Sequence, residues 1–331
     1  MNLQNRIDLI GLLADYLKKN DEEWKSIKLK ASSHNPWFTE KFIELATENI
    51  VNEYFDTSKI NNWVNHYHLD DLIKPQNIGI VMAGNIPMVG CHDFLSTFIC
   101  GHKQTIKFSS KDNILLNHLI HKLYELDIRT KELIIIAENL KGCDAYIATG
   151  GSQSAVHFRQ YFAKYPHIIR SNRTSLAILD GTETDEELLK LSKDIHYYFG
   201  LGCRNVTKIF VPKDYDFIPL LNSFKEFSYF RDLNKYSNNY DYQLSILLLN
   251  NIKYMTNGSI LLTEESRIFS PISVLHYEFY ENKNSLMEVL QNNEDIQCII
   301  GHGCIEFGKA QMPDLFTYAD GVDIMEFLLS L

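Results

Sequence analysis

The chain has 331 residues, 45% hydrophobic and 22% charged, enough apolar material for one large core or two smaller ones and too much for disorder. Its formal charge is −10, from 32 basic and 42 acidic residues, and the basic residues are scattered, so no electrostatic grip on nucleic acid is expected. Apolar runs such as 244–249 fall far short of the roughly 18 to 20 residues that span a bilayer. The first residues carry Asp8 and Asp15 where a signal peptide needs an uninterrupted apolar core, and the six cysteines include no C-x-x-C pair, so a reduced, cytoplasmic protein is expected.

Up to about residue 70, apolar periodicity predicts helices at 3–19 and 39–55, the second capped by Thr39 with Phe42, Leu45, Ala46 and Ile50 on one face. This gives a helical accessory segment, 1–70. From Lys74 onward, strands at 78–83, 103–108, 132–138 and 144–149 alternate with helices near 87–100 and 112–126, which predicts a parallel, doubly wound sheet and a dinucleotide-binding domain over 71–180. The stretch "ATGGSQSAVHFRQYF" at 148–162 places a glycine turn between a strand and a helix. Backbone N–H groups there can cradle a phosphate, although a purely structural turn would read the same.

A strand at 175–180 and a helix at 184–199 lead into "YYFGLGCRNVTKIF", 197–210, where Gly200 and Gly202 flank Cys203. Two readings are open here: a glycine-capped helix followed by a buried thiol, or glycines that clear the approach to a reactive one. Strands near 206–212, 258–263, 272–279 and 296–300 and helices near 216–227, 239–250 and 283–291 make a catalytic thiol domain, 181–310. Residues 311–331 are expected to pack back on the core. No Pro-, Gly- or Ser-rich linker divides the halves, so they are expected to meet around Cys203.

Three stretches, "IGIVMAGNIPMVGCHDFLSTFICGHKQTIKFSSKD", "NRTSLAILDGTETDEELLKLSKDIHYYFGLGCRNVTKIFVP" and "FGKAQMPDLFTYADGVDIMEFL", together resemble the acyl-CoA reductase family, a branch of the aldehyde dehydrogenase superfamily that includes the bioluminescence fatty-acid reductases. The similarity runs from about residue 35 to the last residue, and "FGLGCRN" is its most specific element. The resemblance implies an α/β, aldehyde dehydrogenase-like fold, with a Rossmann-type nucleotide-binding domain and an α/β thiol domain. It implies Cys203 as nucleophile, Asn85 with the cysteine N–H as oxyanion hole, Lys107 at the adenosine ribose, and Thr149, Gly150 and Gly151 under the pyrophosphate. His302, in "CIIGHGCIEF", matches a histidine near the nucleophile that could relay protons, while the simpler reading is a turn residue after a strand. The reaction implied is reduction of an acyl-CoA, or another acyl thioester, to the aldehyde through a Cys203 acyl-enzyme. A fatty acyl group is expected, and coenzyme A enters as part of the substrate. A cysteine acyltransferase or thioesterase without nicotinamide chemistry is the alternative.

Physical chemistry supports several of these roles. Attack by a thiolate on a thioester places negative charge on oxygen, which an amide such as that of Asn85 stabilises. The neighbouring Arg204 or a helix dipole could lower the thiol pKa. Ile178 is read at the position of the glutamate that activates water in aldehyde-oxidising relatives, and Arg267 at that of the glutamate on the nicotinamide ribose. Ser110 and Lys111 stand where NAD-specific relatives place a carboxylate, which favours NADPH, with NADH the alternative. Cys298, His302 and Cys304 match no zinc spacing, so no metal is expected. The aromatics of 196–199 and 227–230 could line an acyl tunnel or form core. The expected partner is a small-molecule acyl thioester. A homodimer, by analogy, and an acyl-carrier or acyl-transferring protein remain open.

Overall fold

The computed structural model describes residues 1–331. The chain forms two compact units, Met1–Asn172 with Pro313–Leu331, and Arg173–Met312.

The first unit opens with α1 (Leu3–Lys19), α2 (Glu22–His34), α3 (Glu40–Asn49) and α4 (Thr57–His66). Each start is fixed by a side chain that accepts a first-turn N–H: Asn2 from Asn5, Asp21 from Trp24, Thr39 from Phe42 and Asp56 from Lys59. The expected helix over 39–55 stops being α-helical at Asn49, and Ile50–Tyr54 widens into a π turn. The sequence concealed α2 because its buried stripe is only Trp24, Lys28 and Ala31, and a lysine breaks the apolar period.

There follow β1 (Asn77–Val81), α5 (Cys91–Cys100), β2 (Lys103–Lys107), α6 (Leu115–Leu126), β3 (Ile134–Ile136), β4 (Ala145–Thr149), α7 (Ser152–Phe162) and β5 (His167–Arg170). The strands form a parallel sheet in the order β3-β2-β1-β4-β5. Ile78, Ile80, Ile106 and Ile147 of the central strands are completely buried, as are Phe94 and Phe98 of α5. Each such side chain contributes about 1.5–3 kcal/mol of burial energy. Strand order reverses between β1 and β4, and the loops leaving their C-terminal ends diverge, which is where open α/β sheets bind ligands. The C-terminal helix Ile324–Leu329 returns to this unit, where His102 Nε2 donates to the Leu328 carbonyl at 2.9 Å.

The second unit comprises β6 (Thr174–Ile178), α8 (Asp185–His196), β7 (Val206–Pro212), α9 (Phe217–Ser223), α10 (Asn234–Leu249), β8 (Met255–Thr256), β9 (Leu261–Glu264), β10 (Val274–Tyr280), α11 (Lys283–Gln291) and β11 (Ile296–Ile300). Its sheet runs β11-β6-β7-β10-β9-β8, with β8 antiparallel to β9 and the other pairs parallel. β6, read from sequence as the last strand of the nucleotide half, pairs with β7 and β11 and lies in this sheet. α8 begins at a capping box of Thr184 and Glu187. It ends at His196, short of the expected 199, because Tyr198 and Phe199 turn left-handed, with φ of 52° and 57°. No helix is long and apolar enough to cross a membrane.

Candidate active site

Cys203 sits half-exposed on the turn between α8 and β7. The turn is costly, since two consecutive aromatic residues, Tyr198 and Phe199, hold left-handed φ angles before Gly200 at φ 75°. A left-handed non-glycine residue costs roughly 1–2 kcal/mol. Packing offsets it: the Phe199 ring lies 4.6 Å from Phe230 and 5.8 Å from Tyr236, centroid to centroid. Gly200 is thus required by its own backbone angle.

Asn205, completely buried, holds the turn together. Its Nδ2 donates to the carbonyls of Tyr197 at 2.8 Å and Asp194 at 3.0 Å, and its Oδ1 accepts the Gly202 N–H at 2.8 Å. One side chain therefore links the frayed end of α8 to the residue before the thiol. From below, Ser175 Oγ of β6 donates to the Cys203 carbonyl at 3.0 Å and also meets Cys298 Sγ at 3.0 Å. Arg204 donates from Nε to the Ala310 carbonyl. Asp194 accepts the N–H groups of Gly308 and Ala310 at 2.6 and 3.1 Å, so both residues fasten 308–310 against the turn. Burial pushes the Asp194 carboxyl up to about 7 against the pull of those N–H donors. Cys91, Cys100, Cys143 and Cys298 are buried, and burial pushes all four thiols up, away from the thiolate.

His302 lies at the other end of the same sheet. Both β7 and β11 run parallel to β6, Cys203 precedes β7, and His302 follows β11. Cys203 meets β6 at Ser175, whereas His302 Nδ1 bonds Asp180 Oδ2 at 2.9 Å, beyond the strand's far end. Five residues of strand separate these points, roughly 16 Å at about 3.3 Å each. The expectation that His302 relays protons at Cys203 is corrected accordingly. Its Nε2 also faces Glu187 Oε1 at 3.1 Å, so both ring nitrogens are engaged by carboxylates, which raise the imidazole pKa above its usual 6.5. Burial works against ionisation of Asp180, yet hydrogen bonds from Thr182 and His302 hold that carboxyl at about 2. Ligand atoms of Asp180, Glu183 and His302 lie within 4.8 Å of one another. Glu183, however, already accepts the N–H groups of Asp180 and Gly181, and the cluster is complete as a hydrogen-bonded tie.

Ile178 is corrected for the same reason. It is buried at the His302 end of β6, where a Cβ on Gly301 would collide with its carbonyl, so its identity says nothing about a base near Cys203. Arg267 is an exposed partner of Glu265 at 2.8 Å, and its hydrogen bonds hold that carboxyl at about 2. The aromatic clusters are core apart from the exposed Tyr229 and the partly buried Tyr197: His196 stacks on Phe227 at 4.6 Å and 2°, and Phe227 and Phe230 are essentially inaccessible. The cavity left beside Phe199 and Gly200 measures about 20 Å³, room for a water and not for an acyl chain.

In the first unit, the C-terminal ends of neighbouring strands gather the remaining residues. Val81 pairs in register with Lys107 on one side and Ala148 on the other, so Lys107, the Asn85 loop and Thr149–Gly151 line one sheet edge. Thr149 Oγ1 is buried with no hydrogen-bond partner, and the α7 N-terminus behind Gly151 has no side-chain cap. At Gly150 a Cβ would come within 3.0 Å of Phe158 and Ser154, so the helix can approach the strand only over glycine. An orphaned hydroxyl beneath an uncapped eleven-residue helix fits an anionic ligand such as a dinucleotide pyrophosphate. Ser110 and Lys111 project from an exposed loop whose backbone is fastened by α2, the His34 ring bonding the Ser110 carbonyl and Asn35 Nδ2 the Lys111 carbonyl.

Two residues escaped the sequence reading. Asn205 carried one faint signal, an amide two residues after the thiol at the strand entry, and Asp112, whose carboxylate accepts the Met88 N–H at 2.7 Å, carried none.

One parallel and one largely parallel sheet, with a thiol on the turn between α8 and β7, make an aldehyde dehydrogenase fold. The P. syringae indole-3-acetaldehyde dehydrogenase solved with NAD+ and IAA is similar at a TM-score of 0.66 and 10% identity, over 88% of this chain and 70% of that one. An aldehyde dehydrogenase of Mycobacterium tuberculosis complexed with NAD+ is similar at 0.63 and 11%, over 88% and 71% of the two chains. Aldehyde dehydrogenase 21 of Physcomitrella patens, solved with succinate, is similar at 0.65 and 12%, over 91% and 74%. At such identities the likeness establishes the fold. No curated protein sequence matches the chain. The acyl-CoA reductase (LuxC) family model matches residues 60–229, more than half of the chain. The chain belongs to that family and is an oxidoreductase of the acyl-CoA reductase and aldehyde dehydrogenase type.

Proposed function

We propose that this protein reduces an acyl thioester, a fatty acyl-CoA being the expected substrate, to the aldehyde with NADPH and through a thioester on Cys203. The observation that carries the reading is the Cys203 turn: a half-exposed thiol on a strained backbone, held by a completely buried asparagine, while four other thiols are packed away. Such an investment in one thiol's position is what a nucleophile requires.

In this reading the Cys203 thiolate attacks the thioester carbonyl, a new carbon–sulfur bond forms, and coenzyme A departs as its thiolate. The Asn85 amide and the Cys203 N–H donate to the oxygen as charge develops on it, a contribution of roughly 3–4 kcal/mol per donor. NADPH, when bound, would supply a hydride to the thioester carbon; the carbon–sulfur bond to Cys203 then breaks, releasing the aldehyde and returning the Cys203 thiolate. Thr149 Oγ1 and the first N–H groups of α7 would hold the pyrophosphate, Lys107 the adenosine ribose, and Ser110 with Lys111 the 2′-phosphate, which a carboxylate at that place would repel. Ile178 has no bearing on hydrolysis, so the product itself separates a reductase from a thioesterase or acyltransferase.

The test is intact-protein and peptide mass spectrometry after exposure to acyl-CoA, followed by NADPH absorbance and aldehyde trapping. A thioester on Cys203, absent in Cys203→Ala, and aldehyde formed in step with NADPH consumption are expected. An adduct on Cys304 or free acid without NADPH consumption would remove the proposal.

A further inference from the structure

The loop that carries Asn85 hangs between two anchors, and both belong to the cofactor-side loop 107–112. At its start the Met82 N–H donates to the Lys107 carbonyl at 3.0 Å. At its end the Met88 N–H donates to Asp112 Oδ2 at 2.7 Å. Between them Gly84 lies so close to the other loop that a Cβ there would stand 2.7 Å from Ser109 Oγ and 3.0 Å from the Asp112 nitrogen. Met88 itself has a φ of 54°, a left-handed angle that methionine does not adopt without a reason.

Loop 107–112 is a fixed reference for this attachment. His34 and Asn35 at the end of α2 hold the Ser110 and Lys111 carbonyls, the Asp112 N–H donates to the Ser109 carbonyl at 3.1 Å, and Ser109 Oγ accepts the Lys111 N–H at 3.2 Å. Asp112 is only 7% exposed, whereas the residues beside it, Lys111 and Asn113, face solvent. A carboxylate turned inward from an exposed loop, onto the strained residue that closes the Asn85 loop, has a task other than solubility.

We propose that Asp112 is a positioning residue for the oxyanion donor: by fixing the Met88 N–H it sets the Asn85 loop against the cofactor-side loop, so that the amide is held in place before charge develops. The inference rests on the reading of Asn85 given above, and it concerns an interlock contained in the first unit alone.

A double-mutant cycle on the full-length protein tests it, with steady-state kinetics on acyl-CoA and a separate measurement of NADPH affinity by fluorescence. Asn85→Ala is expected to lower kcat by roughly 10²–10³-fold. Asp112→Ala should lower kcat about tenfold, with KM and NADPH affinity within about threefold of wild type. Asp112→Asn, which keeps an acceptor for the Met88 N–H, should recover most of that loss. Because Asp112 acts through Asn85, adding Asp112→Ala to Asn85→Ala should slow the enzyme less than about twofold further. If Asp112→Ala does not fold, Gly84→Ala enters the same cycle, since it forces the same two loops apart. Should Asn85→Ala be slow while Asp112→Ala is not, or should the two losses multiply, or should the loss fall on KM or NADPH affinity, the positioning role is overturned and the oxyanion assignment stands. Should Asn85→Ala itself keep its kcat, the oxyanion assignment falls first and the role of Asp112 with it.

Discussion

Asn205 gives the most direct measure of how the thiol turn is held. Asn205→Ala removes the hydrogen bonds to the Tyr197 and Asp194 carbonyls and from the Gly202 N–H, with a longer one to the Ile195 carbonyl, at a site with no solvent exposure to replace them. A neutral hydrogen bond contributes about 1 kcal/mol net, and a buried group left unpaired costs about 1–3 kcal/mol, so the loss should be about 3–5 kcal/mol once the turn relaxes. For a domain of this size each kcal/mol lowers Tm by roughly 2–4 °C, which places the variant near 10 °C below wild type. Asn205→Asp should be no better, although it is nearly isosteric. It keeps the acceptor for Gly202 but turns the donor into an oxygen facing two carbonyl oxygens. Differential scanning fluorimetry reads the stability, and the rate of Cys203 alkylation by a small electrophile reads the turn. Both variants should melt early and alter the alkylation rate of Cys203 relative to Cys304. If Asn205→Ala melts within about 2 °C of wild type with unchanged Cys203 reactivity, the turn is held by something else, such as the aromatic packing of Phe199 alone.

Three further outcomes are expected. His302 has its pKa raised by Asp180 and Glu187, so the stability it lends is fully present below 6.5 and is lost as pH rises through the folded-state value. His302→Gln should therefore lower Tm at about pH 6, match wild type at about pH 9, and leave acyl transfer to Cys203 untouched; a slowed acyl transfer would return His302 to the active site. His196 is driven by burial down to about 4 from 6.5, so the native state loses stability as pH falls between those values, by roughly 3 kcal/mol in all. His196→Phe, on the ring that stacks with Phe227, should flatten acid unfolding curves in that window, and an unchanged curve would show that the imidazole is not buried as described. Ser110→Glu should shift the kcat/KM preference from NADPH toward NADH, whereas a wild type that already prefers NADH would mean that the 2′ position is read elsewhere.

What the sequence revealed and what it hid divide along one physical line. Where a residue's place follows from neighbours in the chain, it was legible: short apolar runs announced β1, β2 and β4, and a Thr-Gly-Gly turn at the end of β4 announced the α7 N-terminus. Where it follows from strand order or from packing between distant segments, local patterns were silent or misleading. His302 looked close to Cys203 because each adjoins a strand and a glycine turn, but the order β11-β6-β7 with all three strands parallel sends one to each end of the sheet. Helix 184–199 seemed continuous because Tyr198 and Phe199 have no intrinsic preference for a left-handed backbone. The rings of Phe230 and Tyr236, some thirty residues on, pack against Phe199 and help to hold that conformation. Asp112 was invisible because the Met88 angle that it secures exists only once the two loops have met. The residues hidden from the sequence are thus those that fasten turns and loops, because fastening is done by contacts distant in the chain, while the proposed nucleophile and oxyanion donor sit in short motifs that a local reading can single out. It follows that substitutions at Asn205 and Asp112 should damage this enzyme through geometry, leaving its chemical groups intact, and that rescue by a shape-conserving acceptor at Asp112 but not by Asp at Asn205 would separate the two modes of support.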